Sequence, residues 1–184
     1  MSGFFATALD EVGAALSDID AAALEKASEM IAEAGTVGLY GCGREGLQMR
    51  GLAMRLHHLG LSVGYVGEMT MPPLGDGDLL IVSAGPGDLA SVDAMMAVAA
   101  KAGATTLLLT AVAGAPAAEK ADHVLVVPAQ TMASDTGAES SRVLPMGSVY
   151  EAALFFVGER LVALLTDRLG ITFEAMRARH TNME

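Results

Sequence analysis

Two glycine-rich segments lie where the chain turns from a predicted strand into a predicted helix. The first spans residues 41–46, GCGREG; it follows the apolar run Val37–Tyr40 and precedes apolar residues at helical spacing. Glycine accepts backbone dihedrals closed to other residues and lets a ligand approach the main chain. The helix that follows directs unpaired N–H groups and its positive dipole end into the same space. The segment therefore predicts a binding site for an anion.

The second glycine segment spans residues 84–88, AGPGD, and follows the continuously apolar run Leu79–Ser83. Continuous apolarity is typical of a strand that is covered on both faces. If the strand order reverses between these two strands, both segments lie at the carboxyl edge of the sheet, where ligands bind. The alternative is that these glycines only permit tight turns, but two such turns at one point favour a ligand site.

The first segment also matches the dinucleotide fingerprint G-x-G-x-x-G, and Glu68 follows the second predicted strand, where an acid could hold a ribose hydroxyl. An enzyme that binds a dinucleotide is therefore one interpretation. Two observations count against it. The second glycine segment converges on the same crevice, and 184 residues are few for a nucleotide-binding half plus a catalytic half.

The elements that must position these segments alternate between strands and helices. Five strands separated by helices predict a three-layer α/β/α sandwich with a parallel sheet in the order 2-1-3-4-5. A polar loop over residues 128–145 is a candidate lid. The predicted strands are Val37–Tyr40, Leu61–Val66, Leu79–Ser83, Thr105–Thr110 and His123–Val127. The predicted helices are Phe4–Leu16, Ala21–Ala34, one that ends at Gly60, Ala90–Ala102, Ala115–Ala121, Ser148–Gly170 and Phe173–Arg179.

Composition and charge restrict the class of protein. The net charge of −11 argues against nucleic acid as a partner, because phosphate backbones need clustered Lys and Arg. The single cysteine, Cys42, excludes an internal disulfide and a cysteine-based metal cluster. No apolar run suits a membrane span and no signal peptide is visible, so we expect a soluble cytoplasmic protein without membrane partners. The apolar content of 52% and an apolar last helix predict a homo-oligomer.

Several further stretches resemble the sugar isomerase (SIS) domain family, and within it the 6-phospho-3-hexuloisomerases. They occur in the family's order along nearly the whole chain. The stretch PMGSVYE and the closing RHTNME are the most specific of them. The matching stretches after the first glycine segment are AMRLHHLG at 53–60, VGEMTMP at 66–72, GDLL at 77–80, PMGSVYE at 145–151 and RHTNME at 179–184.

The resemblance implies a flavodoxin-like fold, a homotetramer, and no metal or redox cofactor. It implies one SIS domain over residues 1–184, with N-terminal helices in 1–35, the α/β core in 36–147, and a C-terminal helix and tail in 148–184. It also implies a sugar or sugar-phosphate ligand. The implied reaction transfers a carbonyl between adjacent carbons and joins 3-hexulose 6-phosphate to fructose 6-phosphate.

An isomerisation of this kind passes through an enediol. It needs one base to move a carbon-bound proton and one group to shuttle protons between oxygens. Glu151, at the head of an apolar helix, could be desolvated enough to act as the base with a raised pKa. His180, from an adjacent subunit, or His58 could serve the oxygens, since histidine titrates near working pH. Two alternatives stay open: Ser148-x-x-Glu151 is also a capping box, and His58 also suits the negative end of a helix dipole.

The two glycine segments depart from the pattern that the resemblance implies. The family normally has Ser at the position of Glu45, and Ser-Gly-Ser-Gly-Glu-Thr in the second segment. Pro86 removes a hydroxyl and a backbone N–H, and Leu89 replaces a threonine hydroxyl. A Glu45 carboxylate about 4 Å from a phosphate would oppose it by several kcal/mol at an effective dielectric constant of about 20.

Two functions follow as hypotheses. The first is a cofactor-independent isomerase of a sugar phosphate or a related sugar, with Glu151 as base and His180 as proton shuttle. The second is a sugar-binding SIS module without catalysis. The sequence leaves open whether the sugar carries a phosphate. The residues predicted to bind it are Gly41, Gly43, Arg44, Glu45, Ser83, Gly85, Ser148 and His58.

Overall fold

A computed structural model describes residues 3–137 and 140–183 of the chain. The strands in this part are β1 (Val37–Gly41), β2 (Val63–Tyr65), β3 (Leu79–Ser83), β4 (Thr105–Thr110) and β5 (His123–Val126). The helices in this part are α1 (Phe4–Ser17), α2 (Ala21–Glu33), α3 (Gly43–His58), α4 (Ala90–Ala102), α5 (Ser148–Leu169) and α6 (Phe173–Ala178).

The strands form one sheet in the order β2-β1-β3-β4-β5, and every neighbouring pair is parallel. This confirms the predicted α/β fold and strand order. The order reverses between β1 and β3, where the register pairs Gly41 with Ser83. Both glycine segments therefore leave the sheet from adjacent positions at its carboxyl edge, the place where ligands bind in such sheets.

Helices cover both faces of the sheet. On one face α2, α3 and α5 pack together, and α1 lies outside them against α5; α4 covers the other face. Successive residues of a strand point to opposite faces. Leu39 and Ile81 accordingly belong to the larger core under α3 and α5, whereas Leu80 and Val82 belong to the smaller core under α4. This arrangement fixes the first turns of α3 and α5 beside the carboxyl edge.

The helix predicted over Ala115–Ala121 is wrong, because the structure forms successive turns there. The N–H groups of Ala115, Ala118 and Lys120 each bond to the carbonyl three residues earlier, not four. Seven residues give few α-helical hydrogen bonds to offset the cost of nucleation, and Pro116 has no N–H to donate.

Residues 3–137 and 140–183 contain no helix that could span a membrane. None of the helices there is both long enough and apolar enough to cross a bilayer.

Candidate functional site

The first glycine segment brings the start of α3 very close to the end of β1. A Cβ added to Gly46 would lie 2.5 Å from the carbonyl oxygen of Gly41 and 2.9 Å from the hydroxyl oxygen of Tyr65. The Tyr65 hydroxyl donates a hydrogen bond of 2.9 Å to that same carbonyl. Only glycine fits at position 46, and this close packing sets Arg44 and Glu45 at the carboxyl edge of the sheet.

Glu45 bridges the two glycine segments. Its Oε2 accepts a hydrogen bond of 2.6 Å from the Ser83 hydroxyl and one of 3.0 Å from the Gly85 N–H. Ser83 and Gly85 were both predicted to hold the anion of a ligand. The structure brings all three residues together, and the anion that these donors bind here is the chain's own carboxylate.

Tyr150 extends this hydrogen-bonded group beneath the site. Its hydroxyl lies 3.3 Å from the Ser83 hydroxyl, and the side chain is fully buried. Burial raises the pKa of Tyr150 far above its ordinary value, and the negative charge of Glu45 adds to this effect. Because the Ser83 hydroxyl donates its hydrogen bond to Glu45, the neutral Tyr150 hydroxyl is the donor to Ser83. The Ser83 hydroxyl therefore accepts from Tyr150 and donates to Glu45 at the same time.

Arg44 connects the start of α3 to the start of α5. Its Nε lies 3.0 Å from a carboxylate oxygen of Glu151, and one terminal nitrogen donates a hydrogen bond of 2.9 Å to the Ser148 hydroxyl. The other terminal nitrogen donates to the carbonyl of Met146. Met146 has a φ of 61°, an uncommon backbone conformation for a residue other than glycine. Arg44 therefore holds in place the turn that leads into α5.

The capping box does not form at the start of α5. Gly147 is the N-cap residue, with a φ of 82° and no side chain to cap with, so Ser148 is the first residue of the helix. The Ser148 hydroxyl donates instead to the carbonyl of Pro145 at 2.9 Å and accepts from Arg44. Glu151 likewise pairs with Arg44. Both side chains thus serve the site and not the helix terminus.

The environment of Glu151 suits a base that removes a proton from a carbon atom. Its side chain is 16% exposed, and burial raises the pKa of the carboxyl. The guanidinium of Arg44 opposes that effect and the charge of Glu45 reinforces it, so the pKa of Glu151 lies above its ordinary value. A carboxylate with a raised pKa is a better proton acceptor near neutral pH.

These groups border a hollow of about 410 Å3 between the starts of α3 and α5. The volume falls in the range of small-molecule sites. Its charged groups are Arg44, Glu45 and Glu151, and Pro86, Leu89 and Met132 give the walls apolar surface. Met132 and Thr131 come from the loop that was predicted to be a lid. The residues lining the hollow are Cys42, Gly43, Arg44, Glu45, Pro86, Leu89, Thr131, Met132, Met146, Gly147, Tyr150 and Glu151.

His58 and His180 lie together at the other end of α3. Their rings stack with centroids 5.2 Å apart, and an Arg179 nitrogen donates to the carbonyl of His58 at 3.2 Å. Arg44 pairs with Glu151, and further along Arg55 pairs with Glu159. The two helices therefore run in the same direction, and the rise per residue puts His58 about 20 Å from the hollow.

The structure thus separates the predicted site residues into two groups. Within one chain, neither histidine reaches the hollow, and the role of His180 in a neighbouring chain stays a prediction. The remaining predicted residues meet at the carboxyl edge, namely Gly41, Gly43, Arg44, Glu45, Ser83, Gly85, Ser148 and Glu151. Among the described residues, no cluster of His, Cys, Asp and Glu has the arrangement of a metal site.

Sequence reasoning missed several residues that line the hollow, and two of them have clear roles. Tyr150 is the buried donor to Ser83, and Met132 forms part of the wall. One feature could have identified Tyr150: it is an aromatic residue beside Glu151, in a chain with only 4% aromatic residues. Met132 lies in a polar loop with no periodic pattern, so its position could come only from the folded structure.

The fold and the hollow define an α/β sandwich with a hollow of small-molecule size at the switch point of a parallel sheet. A family model described as "SIS domain" matches residues 30–156. The chain therefore belongs to the SIS domain family, which confirms the resemblance seen in the sequence. The match also displaces the dinucleotide interpretation of the first glycine segment, whose predicted ribose ligand Glu68 pairs instead with Arg50 at 3.1 Å.

Curated relatives extend over most of the chain. It is 36% identical over 175 residues to the 3-hexulose-6-phosphate isomerase of Mycobacterium gastri, covering 95% of this chain and 87% of the relative. It is 36% identical over 161 residues to the 3-hexulose-6-phosphate isomerase of Methylomonas aminofaciens, covering 87% of each protein.

Solved structures show the same fold. One is a Methanococcus jannaschii protein, for which a function as 3-hexulose-6-phosphate isomerase was inferred from its structure. It superimposes with a TM-score of 0.83 at 27% identity, and the match covers 96% of this chain and 98% of that one. The sugar isomerase domain of an RpiR transcription factor from Sphaerobacter thermophilus has a TM-score of 0.72 at 27% identity, covering 95% and 92%.

Proposed function

We propose that this protein is a cofactor-independent isomerase of a six-carbon ketose. Its reaction is of the type named for its relatives, the interconversion of 3-hexulose 6-phosphate and fructose 6-phosphate. The observation that carries the proposal is the Glu151 carboxylate, which lies in the hollow at the switch point with a raised pKa. The identity of 36% over 95% of the chain supports the type of reaction.

The proposed mechanism moves one carbonyl between C2 and C3 of the sugar. Starting from a 2-ketose, the Glu151 carboxylate takes the proton on C3, and the electron pair forms the enediol as the C2 oxygen gains a proton. Glu151 then returns its proton to C2 while the C3 hydroxyl loses its own. The product is the 3-ketose, and no atom or electron is gained or lost.

We further propose that His180 shuttles the proton between the two oxygens, from a neighbouring chain. In its own chain this side chain lies on the exposed tail, about 20 Å from the hollow. An assembly in which the tail reaches another chain's hollow would complete the site.

The cytoplasmic location expected from the sequence also remains a prediction.

The proposed assembly is a homotetramer that uses the outer surface of α5. Phe155 and Phe156 are 55% and 45% exposed there, and exposed aromatic residues of this size are typical of protein interfaces. We expect Phe155→Asp to convert a tetramer into smaller species in size-exclusion chromatography with light scattering. Val98→Asp, an exposed position on α4 across the sheet, is the control and should leave the tetramer intact.

The proposed activity is tested by incubating the protein in heavy water with fructose 6-phosphate and, separately, with fructose. NMR should show deuterium at C3, because the proton on Glu151 exchanges with solvent before it returns to carbon. Heat-denatured protein is the control. Binding of either ketose without exchange would show the second candidate function, a sugar-binding module. The fold shared with the RpiR sugar isomerase domain is the observation that keeps this alternative in view.

The charges around Glu151 predict how activity depends on pH. Glu151 acts as a base only when ionised, so kcat/KM should rise with pH through its pKa. Arg44 lowers that pKa and Glu45 raises it. Arg44→Gln should therefore move the acid limb of the kcat/KM profile to higher pH, and Glu45→Gln should move it to lower pH. Shifts of the same sign in both variants would contradict the assignment of Glu151 as the base.

A further inference from the structure

We propose that Glu45 determines the charge of the sugar that the hollow accepts, and that it selects a neutral terminal hydroxyl over a phosphate. The inference rests on the proposed function, because it concerns the substrate class of the same site. It starts from the observation that Glu45, which lines the hollow, already accepts hydrogen bonds from the Ser83 hydroxyl and the Gly85 N–H.

Three N–H groups of the second glycine segment, and the Ser83 hydroxyl before it, are committed to the protein; one of these N–H groups is that of Ala84, which donates to Leu109. The Ser83 hydroxyl and the Gly85 N–H donate to Glu45, and the Gly87 N–H donates to the carbonyl of Ala84 at 2.9 Å. Pro86 has no N–H. A phosphate placed here would have to displace the Glu45 carboxylate from two hydrogen bonds.

The carboxylate is packed into this position and not simply extended toward it. A Cβ added to Gly85 would lie 2.9 Å from Oε1 of Glu45 and 2.8 Å from Cε1 of Tyr150. The buried Tyr150 hydroxyl supports Ser83 from below. Movement of Glu45 would therefore leave the Ser83 and Gly85 donors unpaired unless a ligand replaced it, and unpaired buried donors are costly.

The net charge of the side chains that line the hollow is negative. Two carboxylates, Glu45 and Glu151, face one guanidinium, and Arg44 already donates to Glu151, Ser148 and the Met146 carbonyl. The positive end of the α3 dipole is offset by Glu45 in the first turn of that helix. A phosphate dianion would meet repulsion here, because Arg44, the arginine among the described residues that line the hollow, is already committed to protein groups.

A neutral sugar hydroxyl has the complementary chemistry. Both protein donors bind Oε2 of Glu45, so within the described residues Oε1 retains lone pairs that can accept from a ligand hydroxyl. Pro86, Leu89 and Met132 offer apolar surface for the C–H faces of the sugar. The site thus suits a free ketose, whose terminal hydroxyl would donate to Glu45.

Isothermal titration calorimetry with fructose, fructose 6-phosphate and inorganic phosphate tests this inference. The wild-type protein should bind fructose more tightly than fructose 6-phosphate and should give no heat of binding with inorganic phosphate. Glu45→Ser removes the charge and frees both donors. It should therefore shift the affinity ratio toward the phosphate ester by about 100-fold, which corresponds to about 2.8 kcal/mol. Glu45→Gln keeps the side-chain shape and should shift the ratio less, in the same direction.

The control is Glu33→Gln, which removes one negative charge from an exposed position at the end of α2, on the opposite edge of the sheet. It should leave the affinity ratio unchanged. A wild-type preference for fructose 6-phosphate that persists unchanged in Glu45→Ser and Glu45→Gln would overturn the inference. Because the readout is binding, it does not depend on turnover. If no variant exchanges deuterium and the ratio still shifts, the proposed isomerase fails while the role of Glu45 stands.

Discussion

Glu151→Gln is expected to lower deuterium incorporation into the ketose by about 10^2- to 10^4-fold, the range that a positioned general base contributes. Glutamine has the same shape, and its amide oxygen can still accept from Arg44, so the hollow should keep its form. The amide cannot take a proton from carbon. We therefore expect the ketose to bind with nearly the wild-type dissociation constant while the exchange at C3 is lost. The measurement is NMR of the sugar after incubation in heavy water.

The same Glu33→Gln variant serves as the matched control for this prediction, because it makes the identical chemical change far from the hollow. It should exchange at the wild-type rate. Full exchange by Glu151→Gln would show that another group is the base. The proposed mechanism would then be wrong, although membership of the SIS family would be unaffected.

Gly46→Ala is expected to lower the free energy of unfolding by about 2 to 3 kcal/mol, the upper part of the usual range for overpacking. Its Cβ would lie 2.5 Å from the Gly41 carbonyl oxygen, a backbone atom of the sheet that cannot rotate away as a side chain could. The start of α3 would have to move away from β1 and carry Arg44 and Glu45 with it. Urea denaturation measures the loss of stability, and calorimetry should show weaker ketose binding.

Gly51→Ala on the same helix is the control for this prediction. Nothing lies within 4 Å of a Cβ added there. Alanine is the better helix former by about 0.5 to 1 kcal/mol in a helix interior, so this variant should gain stability. Equal losses of stability in both variants would contradict the argument from close packing and would indicate a general sensitivity of α3.

Much of the fold could be predicted from the sequence because its physical causes are local. Apolar runs separated by helical periodicity gave β3, β4 and α4 with their observed limits. The handedness of βαβ connections then restricts how the strands can be ordered. The limits predicted for β2, Leu61–Val66, were too wide, because this short edge strand ends where its pairing with β1 ends and not where its apolar residues end.

The candidate site was only partly predictable, because its main contacts join residues that are far apart in sequence. The first segment indicated that Glu45 would oppose a phosphate. It gave no sign that the carboxylate would reach the Ser83 hydroxyl, 38 positions away. The capping box at Ser148 depended on which residue begins α5, and the left-handed conformation of Gly147 decided that. The stacking of His58 on His180 depends on how the tail returns to α3.

Tyr150 and Glu151 are consecutive residues in the first turn of α5, yet they contact different partners. Tyr150 reaches Ser83 on the sheet, and Glu151 reaches Arg44 on the neighbouring helix. A single turn of backbone thus joins Tyr150, which contacts Ser83 below the hollow, to Glu151, which would deprotonate the sugar. We therefore expect a ligand that shifts Ser83 to shift Glu151 as well, so poorly matched sugars should lose turnover rate as well as affinity.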